Sequence, residues 1–194
     1  MVKNVLVIDC SPRQNGNTAY LVQEFMKKLD ANYTHIKLFP QEQKNCVSPC
    51  IDCGYCLNHM GCAIDDDFSK ISRKDYDLVI FASPIYMSNL PGPAFNLISR
   101  FNSYYNNLKV FKSKPTLKNK DAILILTYGS YPSPTLKGND NLELPIKQSK
   151  YIFDRINADL KEENILKVKT DGVDITKDTK LLDEINKIVS KYKE

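Results

Sequence analysis

The chain has few of the features that mark membrane, secreted or nucleic-acid-binding proteins. No run approaches the roughly 20 apolar residues that span a bilayer, and the apolar segment Val5–Ile8 ends at Asp9, too soon for a signal peptide. Only four of the 27 basic residues are arginines, and the lysines are scattered among acids rather than set in a basic stripe. We therefore expect a cytoplasmic protein that binds neither a membrane nor nucleic acid.

Other absences narrow the possible chemistry. The chain has only two histidines and no seryl elbow motif, so nothing indicates a hydrolase. It also lacks the G-x-G-x-x-G fingerprint and the G-x-x-x-x-G-K-[ST] P-loop, which disfavours Rossmann-type FAD or NAD binding and nucleotide hydrolysis. With 42% hydrophobic and 26% charged residues, the composition is that of a globular protein, and we expect one domain over residues 1–194.

What the chain does contain is a regular alternation of strand-like and helix-like segments. Short apolar runs predict five strands, at Asn4–Cys10, Thr34–Phe39, Leu78–Ala82, Ala122–Leu126 and Ile165–Val168. Helical spacing predicts helices at Thr18–Asp30, Asp66–Arg73, Ala94–Tyr105, Leu142–Ile156 and Lys177–Tyr192, with an irregular polar stretch over 105–119. This order predicts an α/β fold of three layers, in which a doubly wound five-stranded parallel sheet lies between helices.

The loops after the strands are where such a sheet binds ligands. By position they are Ser11–Thr18, Ser83–Asn89 and Thr127–Ser133. The first leads into a helix, whose N-terminus carries unpaired N–H groups and a partial positive charge. Gly16 lets the backbone come close to an anion. The side chains able to donate to a phosphate there are Ser11, Arg13, Asn17 and Thr18. The alternative is an ordinary turn in which Asn17 or Thr18 caps the helix.

Two of these loops resemble motifs of one protein family. The first, Ser11-x-Arg13-x-x-Gly16-Asn17-Thr18, resembles the S-x-R-x-x-G-x-[ST] loop of the NADPH-dependent FMN reductases. The second, Ser83-Pro84-Ile85-Tyr86, is similar to their S-P-[VIT]-Y segment. The resemblance implies a flavodoxin-like, FMN-dependent oxidoreductase. The residues it implies for FMN binding are Ser11, Arg13, Asn15, Gly16, Asn17, Thr18, Pro84, Ile85, Tyr86 and Met87, with Tyr128 and Gly129 added by position only. Without the resemblance, Tyr86 also fits a buried aromatic at a strand end.

Five of the six cysteines lie in a connection with no clear periodicity, within a cysteine-rich loop at 46–62. The run Cys50-x2-Cys53-x2-Cys56-x5-Cys62 places four thiols within 13 residues. Such a run lets one loop wrap a cluster and supply the four thiolates of a [4Fe–4S] cube. A four-cysteine zinc site, redox-active or free thiols, and a disulfide framework are the alternatives.

The cysteine spacing, followed by Asp65-Asp66, is similar to that of the iron–sulfur flavoproteins, a branch of the flavodoxin-like group. This resemblance implies that Cys50, Cys53, Cys56 and Cys62 hold a [4Fe–4S] cluster close to FMN. It further implies an electron relay from a donor such as ferredoxin, through the cluster and FMN, to a small acceptor such as oxygen, peroxide or a quinone. Relatives are commonly homodimers or homotetramers in which the cluster of one subunit can face the FMN of another.

Two other functions stay open at this point. One is a cluster-free FMN or quinone reductase that takes hydride from NAD(P)H. The other is a non-enzymatic metal or redox sensor whose cysteine loop reshapes a binding surface. We interpret His59 as a loop histidine, Cys46 as a spare thiol and Cys10 as a small buried hydrophobe. Asp65–Asp67 are expected in the cap and first turn of the helix that follows. One departure from the family pattern is Ser99-Arg100, where relatives often have an acidic residue before the arginine.

Overall fold

A parallel sheet lies at the centre of the computed structural model, which describes residues 2–39, 46–73, 76–112, 119–129 and 142–193. Its strands are β1 (Asn4–Asp9), β2 (Asn32–Lys37), β3 (Leu78–Pro84), β4 (Lys120–Tyr128), β5 (Ala158–Asp159) and β6 (Ile165–Lys169). The order is β2-β1-β3-β4-β5, and all pairings are parallel. Both β5 and β6 pair with β4, one near its start and one near its end, so they share the fifth position. The predicted doubly wound parallel sheet of the flavodoxin-like fold is confirmed.

The central strands are apolar because helices cover both faces of the sheet. Successive residues of a strand point to opposite faces, so Leu6 and Ile8 of β1 enter one core cluster while Val5 and Val7 enter the other. All residues of β3 are buried. Two separate apolar cores, one on each side of the sheet, make the predicted three layers.

Seven α-helices are found in the described part of the chain. They are α1 (Asn17–Lys28), α2 (Tyr55–Asn58), α3 (Phe68–Arg73), α4 (Gly92–Arg100), α5 (Asn102–Phe111), α6 (Glu143–Arg155) and α7 (Thr179–Ser190). The buried sides of α1 and α7 belong to one core cluster, and those of α3, α4 and α6 belong to the other. Among these described helices, none is both long enough and apolar enough to cross a membrane.

The helix expected over Ala94–Tyr105 is instead two helices, α4 and α5, which meet at Phe101. The first starts earlier than predicted because Pro93 is compatible with a first helical turn. The second continues to Phe111 and ends at Lys112, whose φ is +51°. The prediction of an irregular stretch from residue 105 is therefore wrong as far as residue 111. The apolar residues of α5, among them Tyr105, are partly exposed, so the helix lacks a clear buried stripe in the sequence.

Candidate functional site

An open cleft lies where β1, β3 and β4 end. It is lined by Ser11, Pro12, Arg13, Gly16, Asn17, Thr18, Pro84, Ile85, Tyr86, Thr127, Tyr128, Gly129 and Thr170. Ten of the twelve residues predicted to contact FMN are in this lining, and the other two, Asn15 and Met87, are not. Thr170 was not predicted; it follows β6 and donates its backbone N–H to the carbonyl of Tyr128. Of that predicted third loop, residues 130–133 lie outside the described residues.

The first loop brings the N-terminus of α1 to the cleft. The N-cap residue is Gly16, which has no side chain with which to cap the helix. The expected alternative, a cap by Asn17 or Thr18, is therefore wrong. Thr18 instead shares a hydrogen bond of 2.6 Å with the hydroxyl of Thr127, and Ser11 donates to the carbonyl of Arg13 at 2.8 Å. The helix start thus faces the cleft with its partial positive charge.

A buried carboxylate holds this loop from behind. Asp9, the last residue of β1, accepts a hydrogen bond of 2.8 Å from the backbone N–H of Ser11. Its other oxygen lies 3.3 Å from Nε2 of His35 on β2. Neither residue was predicted to belong to the site, although an acid that closes an apolar strand is visible in the sequence. Asp9 fixes where the loop leaves the sheet.

The second loop forms a tight turn at the rim of the cleft. Tyr86 and Asn89 exchange two backbone hydrogen bonds of 3.0 Å. Between them, Met87 and Ser88 have φ of +50° and +60°, the sign that a type I′ turn requires of both residues. Non-glycine residues adopt this conformation at a cost. Tyr86 is 47% exposed, so its interpretation as a buried strand-end aromatic is wrong.

Side chains brace this turn. The amide of Asn89 donates to the carbonyl of Met87 at 2.9 Å. Gln148, on α6, donates to the side chain of Asn89 and accepts from the backbone N–H of Leu90, both at 3.2 Å. These contacts hold the positive-φ turn in one place. Sequence analysis missed Gln148 because 59 residues separate it from Asn89.

The third loop fits closely between two neighbours. Ile85 donates its backbone N–H to the carbonyl of Thr127 at 2.8 Å, and Thr170 donates to that of Tyr128 at 2.9 Å. A Cβ atom on Gly129 would lie only 2.8 Å from a carboxylate oxygen of Asp171. Any larger residue at this position would therefore require the Asp171 side chain to move.

The four cysteines of the predicted cluster motif line a second, smaller cavity. They are Cys50, Cys53, Cys56 and Cys62, and all six cysteines of the chain are free thiols. Left-handed backbone at Asp52, Gly54 and Gly61 turns the loop around the cavity. Within the described residues, no three histidine, cysteine or acidic side chains are arranged to hold a metal ion. The thiols share one cavity without meeting at one point.

One arginine ties the two ends of the cysteine loop together. Arg100, which closes α4, is 1% exposed. Its guanidinium donates to the carbonyls of Ser48 and Ile64 at 3.0 and 3.1 Å and to Asp66 at 2.6 Å. Asp66 also accepts from the backbone N–H groups of Ser48 and Phe68. The role expected for Asp66 at the start of α3 is thus combined with an ion pair that sequence analysis did not predict.

An asparagine holds the middle of the same loop. Asn107, on α5, donates to the carbonyls of Cys56 and His59 at 2.7 and 2.9 Å and accepts from the N–H of Gly61 at 2.7 Å. His59 stacks on Tyr55 with ring centroids 4.3 Å apart. The amide of the neighbouring Asn106 donates to Sγ of Cys56 at 3.1 Å. A donor to a cysteine sulfur is a feature that also tunes iron–sulfur centres.

The remaining cysteines differ from these four. Cys10 is completely buried at the end of β1, and burial raises the pKa of its thiol to about 12. It is therefore a neutral side chain at physiological pH, in line with the small hydrophobe that was expected. Cys46 is half-buried and lies outside the lining of the four-cysteine cavity.

Comparison with known sequences identifies the family. The sequence model of the NADPH-dependent FMN reductases matches residues 3–136, which is more than half of the chain. The chain belongs to this family. All three of the loops that line the cleft begin within the matched region.

Individual relatives are more distant. An iron–sulfur flavoprotein of Archaeoglobus fulgidus is 26% identical over 126 residues, which cover 64% of this chain and 54% of the relative. An iron–sulfur flavoprotein of Methanocaldococcus jannaschii is 31% identical over 98 residues, half of each chain. The matched part of this FMN reductase family member thus spans about half the length of these relatives.

Solved structures share the fold. An NAD(P)H:quinone oxidoreductase from Methanothermobacter marburgensis superposes with a TM-score of 0.65 at 15% identity, covering 98% of this chain and 96% of the other. An FMN-dependent NADH-azoreductase from Bacillus anthracis, in complex with FMN, gives a TM-score of 0.58 at 14% identity, covering 98% of each chain. At these identities the likeness concerns the fold of the family member and not its substrate.

Proposed function

We propose that the protein is a flavin-dependent oxidoreductase that binds FMN in the cleft at the strand ends. The observation that carries this proposal is that three loops from separate strands bring ten predicted FMN-binding residues to one cleft. Family membership supports the same cofactor. Bound FMN would supply one- and two-electron chemistry, while the protein supplies orientation and tuning.

The phosphate of FMN would lie at the N-terminus of α1. Asn17 would offer hydrogen bonds there, and the hydroxyls of Ser11 and Thr18 would do so by turning away from their present partners. Arg13 would add a positive charge and the planar fork that suits phosphate oxygens. Gly16 leaves the backbone accessible to the anion. Asp9 would keep this loop in place through its bond to the Ser11 N–H.

The flavin ring would lie along the second loop. Pro84, Ile85 and Tyr86 line the cleft there, and Tyr128 and Gly129 of the neighbouring loop are also in its lining. Met87, which is 89% exposed at the tip of the turn, would contact the ring from outside the cleft. Asn15 belongs to the first loop but not to the lining of the cleft, and it would contact FMN from the edge of the cleft.

We further propose that Cys50, Cys53, Cys56 and Cys62 hold a [4Fe–4S] cluster. Four free thiols around one cavity suit four-thiolate ligation, and the ligands of a cube lie further apart than those of a single ion. The names of the relatives point to the same cofactor. Free thiols also suit a reducing compartment such as the cytoplasm. The cysteine loop would then receive electrons one at a time from a donor such as ferredoxin. A small acceptor would be reduced in the cleft and then released.

A homodimer or homotetramer would complete this arrangement. The cysteine loop exposes several large apolar side chains, and such patches mark contact surfaces. They are Ile51, Tyr55, Leu57 and Met60. A second subunit covering them would bring its own cleft near the cavity.

The test is cofactor analysis of protein purified and reconstituted without oxygen. We expect FMN, about four irons and about four acid-labile sulfides per chain, with iron lost from a Cys56→Ser variant and FMN retained. Protein that binds FMN but no iron, and that oxidises NAD(P)H with quinones, would be the cluster-free reductase. This second candidate is included in the test because, among the described residues, no three histidine, cysteine or acidic side chains are arranged to hold a metal ion. Protein that binds no FMN would refute the main proposal.

A further inference from the structure

We propose that Arg100 is a positioning residue for a negatively charged occupant of the four-cysteine cavity. It closes the loop around the occupant and presents a fixed positive charge to it. This inference rests on the proposed [4Fe–4S] function of the same loop. It concerns a residue outside the cysteine motif, and it gives that residue two measurable effects.

The first observation is the way in which Arg100 closes the loop. Ser48 precedes the first cysteine of the motif and Ile64 follows the last, and one guanidinium bonds to the carbonyls of both. The ends of the loop are therefore held by a single side chain. Ser99, beside it, accepts the backbone N–H of Cys50 at 3.0 Å, so the end of α4 contacts the loop at a further point.

The second observation is an unused hydrogen-bond donor. Arg100 lines the four-cysteine cavity and is almost fully buried. Among the described residues, its Nε–H has no acceptor. Buried donors are normally satisfied, and one without a partner destabilises the protein. A ring of thiolates with a bound cluster is anionic and would supply the missing acceptor or the missing counter-charge.

The guanidinium is fixed before anything binds. Asp66 pairs with it at 2.6 Å, and the ring of Phe68 lies 4.8 Å from its central carbon. Asp66 neutralises part of the charge, but it lies outside the lining of the cavity whereas Arg100 is part of it. Arg100 would therefore stabilise the reduced, more negative state of the occupant more than the oxidised state.

A purely structural arginine would behave differently. Its loss would loosen the loop, but a loop that still held its cluster would keep the same reduction potential. A charge facing the cavity changes that potential, and lysine, which keeps the charge without the planar fork, preserves most of it. The reduction potential and its recovery by lysine therefore separate the two roles.

The experiment compares Arg100→Gln and Arg100→Lys with an Arg155→Gln control, each reconstituted anaerobically with iron and sulfide. Arg155 matches Arg100 because its Nε–H is also buried without a described partner and it also lies over an aromatic ring, yet it is outside the cavity lining. The measurements are iron per chain, the rate of iron release to a chelator, the reduction potential followed by EPR, and FMN binding as a check of folding.

For Arg100→Gln we expect iron release at least tenfold faster and a tenfold smaller equilibrium constant for one-electron reduction, a fall of about 59 mV. Arg100→Lys should release iron faster but keep that constant within threefold of the unmodified protein, and Arg155→Gln should change neither. If Arg100→Gln fails to fold, Arg100→Lys becomes the test. A tenfold fall in the equilibrium constant for reduction of Arg100→Lys would contradict the role of the charge. If the rate of iron release and the reduction potential are both unchanged in Arg100→Gln, the inference about Arg100 is wrong but the proposed cluster is not affected. If unmodified protein takes up no iron, the proposed cluster fails and the inference fails with it.

Discussion

The cleft at the strand ends and the cysteine loop are built in different ways. The cleft is formed where buried strands stop, and most of its geometry comes from the backbone, as in the bond from Ile85 to Thr127. The cysteine loop has little regular structure, and side chains of α4 and α5, Arg100 and Asn107, hold it in place. A site of the first kind follows from the order of the strands. A site of the second kind depends on contacts between distant residues, so each can be damaged without the other.

The largest expected effect concerns the cleft. Arg13→Ala should weaken FMN binding about 10- to 150-fold, because a charge-assisted hydrogen bond contributes about 1.5–3 kcal/mol. Flavin fluorescence titration measures this, with Gln14→Ala as the neighbouring control. Iron content should be unchanged in the reconstituted variant. Loss of both cofactors would break the separation between the two regions.

A comparable change in the cysteine loop should leave the cleft intact. Asn107→Ala removes three hydrogen bonds to the loop and should lower the free energy of unfolding by about 1–3 kcal/mol. Iron should also be released faster, while the FMN dissociation constant stays the same. The exposed Asn58→Ala provides the control, with an expected change of at most about 0.5 kcal/mol. Equal destabilisation by both variants would mean that Asn107 does not anchor the loop.

A smaller effect on FMN binding is expected at the turn from Tyr86 to Asn89, the part of the cleft that is held by side chains. Gln148→Leu removes the brace of the Tyr86 turn and should weaken FMN binding about 2- to 10-fold, in proportion to a neutral hydrogen bond of about 0.5–1.5 kcal/mol. The visible spectrum of bound flavin should shift as well. Lys147→Ala, at the next and exposed position of α6, should show neither change. If Gln148→Leu leaves FMN binding and the flavin spectrum unchanged, the backbone hydrogen bonds of the turn are sufficient to hold it.

The smallest effect separates Cys10 from the cavity cysteines. Its pKa is raised by burial to about 12 from an ordinary 9.0, so the folded protein keeps the proton while the unfolded chain loses it above pH 9. Stability from Cys10 is therefore complete below pH 9 and declines as pH rises from 9 toward 12. Urea unfolding between pH 8 and 10 should show a steeper decline for the unmodified protein than for Cys10→Ala. Parallel curves would contradict the burial argument.

The sequence predicted the parts of the molecule that depend on local pattern. The apolar strands and the loops at their ends were visible, because a buried parallel strand and the loop after it are contiguous in the chain. The join between α4 and α5 at Phe101 was missed, since polar residues and exposed aromatics hide the helical period of α5. Gln148, Asn107 and the Arg100–Asp66 pair were missed for a different reason. Their partners lie 34 to 59 residues away, and a single sequence carries no record of such contacts.

The central claim is that one chain holds FMN at the strand ends and an iron–sulfur cluster in the cysteine loop. A crystal structure of anaerobically reconstituted protein, with anomalous data collected at the iron edge, tests it most directly. We expect an FMN phosphate at the N-terminus of α1 and anomalous density between Cys50, Cys53, Cys56 and Cys62. FMN bound elsewhere, or an iron-free cavity in crystals of protein that contains iron, would contradict it.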